Sequence, residues 1–215
     1  AKYLFIAAQA ADTPSTHETR LFFKYILERI DFERDMHFQT CTTIDTLDYS
    51  GYALNEGSKV IIAAAGDKKR TLCKNVNPNL KQNINSVTWV SDGILAIEME
   101  DFISYENASS EIEKLVLNLE PIDTSDIGII VICNDSEFLA KDWNNFLWAT
   151  FTRSDPSKDI YGIGSQYINK HWGCKGPIII DARTKPHHAP ILQENEKALE
   201  AIEHFFQKGQ PLEGF

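Results

Sequence analysis

The sequence predicts a layered α/β domain with a mainly parallel sheet flanked by helices, and three observations support this fold class. Continuous apolar runs along the 215 residues are typical of strands that are buried on both faces. Apolar residues with helical spacing lie between those runs. A segment from 32 to 58 loses both periodicities, which predicts an inserted excursion.

The strand predictions follow from four apolar runs and one turn signal. The runs occupy 1–8, 59–66, 127–133 and 177–181. Ser91-Asp92-Gly93 is a turn signal, so the short segments 87–90 and 94–97 on either side of it are expected to pair as a hairpin. The Asn-rich segment 75–85 is expected to be a loop.

The helix predictions rest on capping boxes and on apolar spacing. Ser15 with Glu18, and Ser110 with Glu113, match the capping-box pattern, so helices are expected to start there. Pro156 is expected to bar any extension of a third helix, and Trp148 of that helix is expected in the core. The apolar faces are Phe22, Phe23, Ile26, Leu27 and Ile30; Ile112, Leu115, Val116 and Leu119; Trp143, Phe146, Leu147 and Thr150; and Leu199, Ile202, Phe205 and Phe206.

The composition is that of a globular protein, with 43% hydrophobic and 24% charged residues. Its 31 acidic and 21 basic side chains give a net charge of -10, which has the wrong sign for binding nucleic acid. Runs such as 127–133 are far shorter than the roughly 20 apolar residues that cross a bilayer, so no membrane span is expected. The four cysteines form no CxxC pair, so we expect reduced thiols in a cytoplasmic protein.

Generic motifs favour no enzyme class. The segment 162–167 has Tyr167 where a dinucleotide fingerprint needs its third Gly, and Ser165 lies in no GxSxG frame. His171 and Cys174 lack a second pair at ligand spacing, so no metal site is expected. The chain starts with Ala1 inside an apolar run, from which we expect it to be a piece of a longer protein.

Two motifs in the last third of the chain resemble those of one known family. The first motif consists of Trp148, Ala149, Thr152, Arg153, Asp155, Pro156 and Asp159, and the second of Asp181, Ala182 and Lys185. Together they resemble the C-terminal domain of the UbiD family of prenylated-flavin decarboxylases, although Arg183 stands where the family has Thr. The resemblance implies that 1–215 form a single domain. It is weaker at 2–30 than in the last third of the chain. Residues 32–107 correspond to an enlargement that is found in only some members.

The resemblance implies a carboxy-lyase that removes CO2 reversibly and non-oxidatively from an aromatic or α,β-unsaturated acid. The implied cofactors are prenylated FMN, Mn2+ and K+. The family binds them in an upstream domain, which also supplies the catalytic Arg and carboxylates. No stretch of this sequence resembles that domain. This chain alone is then expected to be inactive and to bind no cofactor. The implied partners are the upstream domain of the same polypeptide, further copies in a homo-oligomer, and a flavin prenyltransferase that supplies the cofactor.

No catalytic residue is assigned, but one connection is a candidate substrate-pocket wall. It is not periodic, is rich in polar-tipped aromatics, and resembles the pocket loop of related enzymes. A packed surface loop is the alternative interpretation. Its candidate residues are Tyr167, Ile168, Lys170, His171 and Trp172.

Three further expectations concern binding and assembly. His17 resembles a His near the flavin phosphate in some relatives, which makes it a candidate cofactor contact. Phe205, Phe206 and 212–215 form an apolar tail that is expected to make contacts between subunits. Two other functions stay open: an oligomerisation module that never touches substrate, and an independent α/β enzyme.

Overall fold

The computed structural model describes residues 1–51, 53–74, 84–189 and 195–214. The strands within these ranges are β1 (Tyr3–Ala7), β2 (Met36–Thr43), β3 (Glu56–Ala64), β4 (Ile84–Ser91), β5 (Ile94–Met99), β6 (Ile129–Cys133), β7 (Ile160–Gly162), β8 (Gln166–Ile168), β9 (His171–Gly173) and β10 (Ile178–Asp181). The helices there are α1 (Thr19–Arg29), α2 (Tyr105–Leu119), α3 (Ser136–Lys141), α4 (Trp143–Thr152), α5 (Pro156–Asp159) and α6 (Glu196–Glu203), with a 3-10 turn at His204–Phe206.

The central sheet has five strands in the order β4-β5-β6-β10-β7, and a second sheet has the order β1-β3-β2. β6 is parallel to both of its neighbours, while the edge strands β4 and β7 are antiparallel. In the second sheet β1 is parallel and β2 antiparallel to β3. The α/β class is therefore confirmed, but both sheets are mixed rather than mainly parallel. One reason is local, because only Asp92 and Gly93 join β4 to β5, and so short a loop permits only an antiparallel pair.

The central sheet is covered on both faces, which explains the continuous apolar runs in its inner strands. Alternate residues of those strands pack on α2, through Ile112, Leu115 and Leu119. The other alternate residues of the same strands, which point to the opposite face of the sheet, pack on α1, α4 and β3. In that layer Phe146 and Ile26 are fully buried. The layers are therefore α2, the five-stranded sheet, and a third layer that contains α1, α4 and the second sheet.

Several predicted boundaries need correction. α2 begins at Tyr105, and the hydroxyl of Ser104 caps it by accepting the Asn107 N–H at 3.2 Å, so Ser110 lies inside the helix. α1 begins after Glu18, whose side chain makes no capping bond, and Ser15 accepts the N–H of His17 instead. The capping-box pattern is short, so chance matches near a real helix shift its predicted start.

The segment 32–58 is also more ordered than its periodicity suggests. It contains β2, whose polar, mostly exposed residues lack the apolar alternation of a half-buried strand. The predicted loop at 75–85 lies outside the described residues except for its last two, which open β4.

In the described ranges, no helix is both long and apolar enough to cross a membrane. The four cysteines are free thiols, and two of them, Cys133 and Cys174, are buried. Burial raises the pKa of each of these two thiols to about 12.

Candidate functional site

The predicted pocket loop is a β-hairpin, in which β8 and β9 pair through Tyr167 with Trp172 and Ile168 with His171. Its two-residue turn, Asn169 and Lys170, has φ angles of 51° and 67°. Positive φ at both central positions defines the turn type that matches the twist of paired strands. The hairpin was not predicted because neither turn residue is Gly and neither strand exceeds three residues.

This hairpin is hydrogen-bonded to Glu33, in the loop before β2. The Gln166 amide donates to the Glu33 carboxylate at 3.0 Å, and the His171 Nε2–H donates to the Glu33 carbonyl at 3.1 Å. A Cβ on Gly173 would lie 2.6 Å from that carbonyl oxygen, so the close approach requires Gly. Trp172 packs edge-on against Phe38 of β2, with ring centroids 5.3 Å apart.

The outer side chains of the hairpin point away from this anchor. Tyr167 is 78% exposed and Ile168 is 55% exposed. Tyr167, Lys170, His171 and Trp172 line a cavity of about 290 Å³, the hairpin cavity, whose opposite wall is formed by β2 and the start of α5. The structure thus places four of the five candidate pocket residues around one cavity, while Ile168 lies outside its lining.

A larger cavity of about 990 Å³, here called the aromatic cavity, lies between β1, α1, α4, the loop before β3 and the turn after β10. Its ring side chains are Tyr3, Phe5, Phe23, Tyr49, Trp148 and Phe151. Trp148 is 52% exposed and lines this cavity, so the prediction that it belongs to the core is wrong. Sequence reasoning missed the cavity because its walls come from five segments that are far apart in the chain.

Arg153 is a cation of the aromatic cavity. Its guanidinium carbon lies 4.8 Å from the centroid of the Trp148 ring, and burial lowers its pKa. Among the described residues, no carboxylate or other acceptor is placed to pair with this guanidinium. Lys2, the other cation in the lining, is paired with Asp48 at 3.0 Å. The arrangement leaves one unpaired positive charge among aromatic walls.

His188 also lines the aromatic cavity. Its Nδ1 accepts the backbone N–H of Lys185 at 3.2 Å, so the neutral ring carries its proton on Nε2. That Nε2 is buried and has no partner among the residues that the structure describes. Burial lowers the His188 pKa to about 4, helped by the charges of Lys185, His187, Arg153 and Lys2. The imidazole is therefore neutral at pH 7.

The remaining residues of the two motifs form a buried polar network rather than an open site. The Lys185 ammonium lies 3.3 Å from the Asp159 carboxylate and donates to the carbonyl oxygens of Arg153 and Asp181, both at 3.0 Å. Asp159 also accepts the Asp155 N–H at 2.6 Å, and Asp155 accepts the Ser58 hydroxyl. Burial raises the Asp159 pKa to about 7, although the charge of Lys185 opposes the shift. These contacts hold the end of β10 against the end of α4.

Arg183, which replaces the Thr of the second motif, is fully buried in the same network. It forms ion pairs with Asp181 at 2.7 Å and with Glu111 of α2 at 2.8 Å. Burial lowers the Arg183 pKa, but the hydrogen bonds and charges of Asp181 and Glu111 outweigh burial and raise it. Asp181 also accepts the Arg183 N–H at 3.1 Å, so it caps the turn after β10.

The predicted cofactor contact, His17, lies away from both cavities. His17 is exposed in the turn before α1 and lies in the lining of neither cavity. The segment after β1, Gln9-Ala10-Ala11-Asp12, offers no cation to a phosphate. No group of three His, Cys, Asp or Glu side chains in the described ranges is placed to hold a metal ion.

Comparison with known proteins gives a match to a family model at the start of the chain. Residues 1–64 match the model of the 3-octaprenyl-4-hydroxybenzoate carboxy-lyase C-terminal domain. This chain is thus similar to the C-terminal domain of the UbiD family, and the family predicted from the sequence is confirmed. The match lies at the start of the chain and extends into the predicted enlargement at 32–107, whereas the motifs that pointed to the family lie in the last third.

Individual relatives come from Chlamydia. The chain is 27% identical over 195 residues to an uncharacterized protein of Chlamydia trachomatis, an alignment that covers 91% of this chain and 32% of that protein. It is 29% identical over 161 residues to a Chlamydia pneumoniae protein that is named as one of the subunits of 4-hydroxybenzoate decarboxylase, covering 75% of this chain and 26% of that protein. The chain therefore spans about a third, or less, of the length of these relatives.

Among solved structures, the chain is 14% identical to the vanillic acid decarboxylase of Sedimentibacter hydroxybenzoicus in its open form. The superposition covers 77% of this chain and 44% of that chain, with a TM-score of 0.35. A similarity of this size supports no statement about a shared fold.

Proposed function

We propose that this chain is the C-terminal part of a UbiD-like decarboxylase that acts on an aromatic or α,β-unsaturated carboxylic acid. The family match and the Chlamydia pneumoniae relative, which is named as part of a decarboxylase, support the reaction class. In the whole protein, the β8–β9 hairpin forms one wall of the substrate pocket. Prenylated FMN, Mn2+, K+ and the catalytic groups belong to the remainder of that protein, and a flavin prenyltransferase supplies the cofactor.

The observation that carries the pocket-wall proposal is the contrast between the two strands of the hairpin. Strand β9 contacts Glu33 and Phe38 through His171 and Trp172, yet Tyr167 and Ile168 of β8 are exposed to solvent. A rigid support for exposed apolar side chains is expected where a second surface or a ligand covers them. The adjoining hairpin cavity gives space for an apolar part of a ligand.

The test uses the full-length protein, purified with its cofactor, and assays release of CO2 from 4-hydroxybenzoate and other unsaturated acids. Tyr167→Ala and Ile168→Ala are expected to lower kcat/KM about tenfold while leaving the melting temperature unchanged, because both side chains are exposed in this chain. Leu117→Ala is the matched control, since Leu117 is 64% exposed on α2, away from the hairpin. Unchanged kinetics in both hairpin variants would contradict the proposal that the hairpin forms a wall of the substrate pocket.

One observation favours the second candidate function, an oligomerisation module. The apolar side chains of α6 and the residues after it are exposed within this chain, and none of α6 is buried. These exposed side chains are Leu199, Ile202, Phe205, Phe206 and Leu212. An apolar helix face of this kind suits a contact between subunits, which is compatible with a pocket wall elsewhere in the domain.

A further inference from the structure

Two histidine side chains meet at the wall of the hairpin cavity. His37 lies on β2 and His171 on β9, and their ring centroids are 5.5 Å apart with 54° between the ring planes. Both residues line the cavity. Each is followed in the chain by an aromatic residue, and the rings of these two residues, Phe38 and Trp172, pack edge-on. The contact between them holds β2 beside β9, so the backbone positions that carry the two imidazoles stay side by side.

The distance between the two imidazoles is suitable for binding one metal ion. A ring nitrogen binds Zn2+ at about 2.1 Å, which places the ion about 3.2 Å from the ring centroid. For two ligands at an angle between about 90° and about 120°, the ring centroids are then about 4.5 to 5.5 Å apart. The distance of 5.5 Å between His37 and His171 falls at the upper end of this range. Both rings can therefore reach one ion by side-chain adjustment alone.

The hydrogen bonding of His171 leaves one of its nitrogens available as a ligand. Its Nε2–H donates to the Glu33 carbonyl at 3.1 Å, so the neutral ring has a free lone pair on Nδ1. Histidine ligands of metal ions usually donate their other N–H in this way, which fixes the tautomer and the ring orientation. Within the described ranges, neither Nδ1 of His171 nor either ring nitrogen of His37 has a hydrogen-bond partner. The pair therefore offers one fixed imidazole and one that can turn towards an ion.

The other residues of the cavity define which ion fits. Among the described residues that line it, none is Asp, Glu or Cys, so hard ions such as Mg2+ and Ca2+ lack the carboxylates that they need. Imidazole suits Zn2+, Cu2+ and Ni2+. Lys170 also lines the cavity and its charge opposes a cation, but its side chain is exposed and can extend into solvent. The cavity therefore favours a borderline transition-metal ion of moderate affinity.

We propose that His37 and His171 bind one divalent transition-metal ion of the Zn2+ type, with water in the remaining coordination positions. The bound ion links β2 to the β8–β9 hairpin. Two protein ligands are fewer than the four of a structural zinc site, so the ion is exchangeable. The sequence did not indicate this pair, because the two histidines are far apart in the chain. The proposal does not depend on the decarboxylase assignment.

The test is calorimetric titration of the untagged chain with ZnCl2. The chain carries the substitution Cys41→Ser, because Cys41 is an exposed thiol on β2 that would itself bind Zn2+. We expect saturable binding of one Zn2+ per chain at micromolar concentration. We also expect a higher melting temperature, because an ion that binds only the folded state stabilises it by mass action. Absence of saturable binding at millimolar ZnCl2, or equal binding of Mg2+ from MgCl2, would overturn the proposal.

Variants of the two histidines locate the site. His37→Gln is expected to weaken Zn2+ binding at least tenfold and to fold normally, since His37 is exposed. His171→Gln is expected to weaken binding equally, and its amide can still donate to the Glu33 carbonyl. His17→Gln is the matched control, because His17 is an exposed histidine outside the hairpin cavity. Zn2+ binding that is unchanged in His37→Gln, or weakened as much in His17→Gln, contradicts the site.

Discussion

At the scale of single residues, burial separates neighbours that look equivalent in the sequence. Tyr167 and Trp172 are opposite each other in the hairpin, yet Tyr167 is exposed and Trp172 packs on Phe38 beside the main core. The proposed pocket contact and the packing contact therefore belong to the two members of one cross-strand pair. The sequence supports the segment as a candidate but does not distinguish its two strands, because β8 and β9 are too short to show a period.

We expect Trp172→Ala to lower the free energy of unfolding by up to about 3 kcal/mol, because it removes a large packed side chain. Tyr167→Ala should change that free energy by less than about 0.5 kcal/mol. Urea denaturation followed by circular dichroism measures both values. If Trp172→Ala unfolds like the unmodified chain, Trp172 is not part of the packing that anchors the hairpin.

A second residue-scale prediction concerns Asp159, whose pKa burial raises to about 7. In an unfolded chain an Asp titrates near about 3.9, so between these pH values only the folded chain keeps this proton. Lowering the pH from 8 to 5.5 should therefore stabilise the unmodified chain relative to Asp159→Asn. The lowered His188 pKa acts in the opposite direction, but it is present in both proteins and cancels in the comparison. Parallel pH profiles of unfolding free energy for the two proteins are the result that contradicts this prediction.

At the scale of secondary-structure elements, the start of α2 shows how a local pattern can mislead. Ser110-Glu111-Ile112-Glu113 matches a capping box, but the helix starts at Tyr105 and its cap is Ser104. Ser104→Ala is expected to cost about 1 kcal/mol of stability, because it leaves the Asn107 N–H without its side-chain acceptor. Ser110→Ala, a matched change at an exposed position inside the same helix, should have almost no effect. Equal losses in thermal melts of the two variants would be inconsistent with this assignment.

Elements with strong periodicity could be predicted, and elements that depend on distant contacts could not. β6 is a continuous buried apolar run, and α2 carries Ile112, Leu115 and Leu119 at helical spacing. Both patterns arise from packing between layers, so the sequence predicts β6 as a strand and α2 as a helix. Most side chains of β2 are polar and exposed, and within the described ranges its strand partner is β3, so its composition gives little sign of a strand even though Met36 is buried and Phe38 packs on Trp172. The aromatic cavity was missed for a related reason, since its lining residues come from segments that are far apart in the chain.

At the scale of the whole molecule, the apolar side chains of α6 and of the residues after it are exposed. We expect self-association at high micromolar concentration, and we expect the double variant Ile202→Ser, Phe206→Ser to be monomeric, because it removes two exposed apolar contacts. Analytical ultracentrifugation measures the mass, with Leu117→Ser as a control at another exposed apolar position. A monomeric mass for the unmodified chain would exclude this contact.

The proposal that the cofactor binds outside this chain leads to another expectation. Because His17 is exposed and outside both cavities, this chain should show no tight binding of prenylated FMN. Fluorescence titration with the cofactor tests this, and the full-length protein serves as the positive control. Stoichiometric binding by this chain would show that it contains a cofactor site of its own.

The position of β10 has a consequence for synthesis of the protein. β10 lies between β6 and β7, although it follows both of them in the chain. A growing polypeptide therefore leaves the ribosome with two unpaired strand edges, one of them the wholly apolar β6, until residue 181 has emerged. Nascent chains stalled before residue 178 should accordingly bind chaperones or aggregate. Nascent chains stalled after β10 has left the ribosome should fold and no longer bind chaperones.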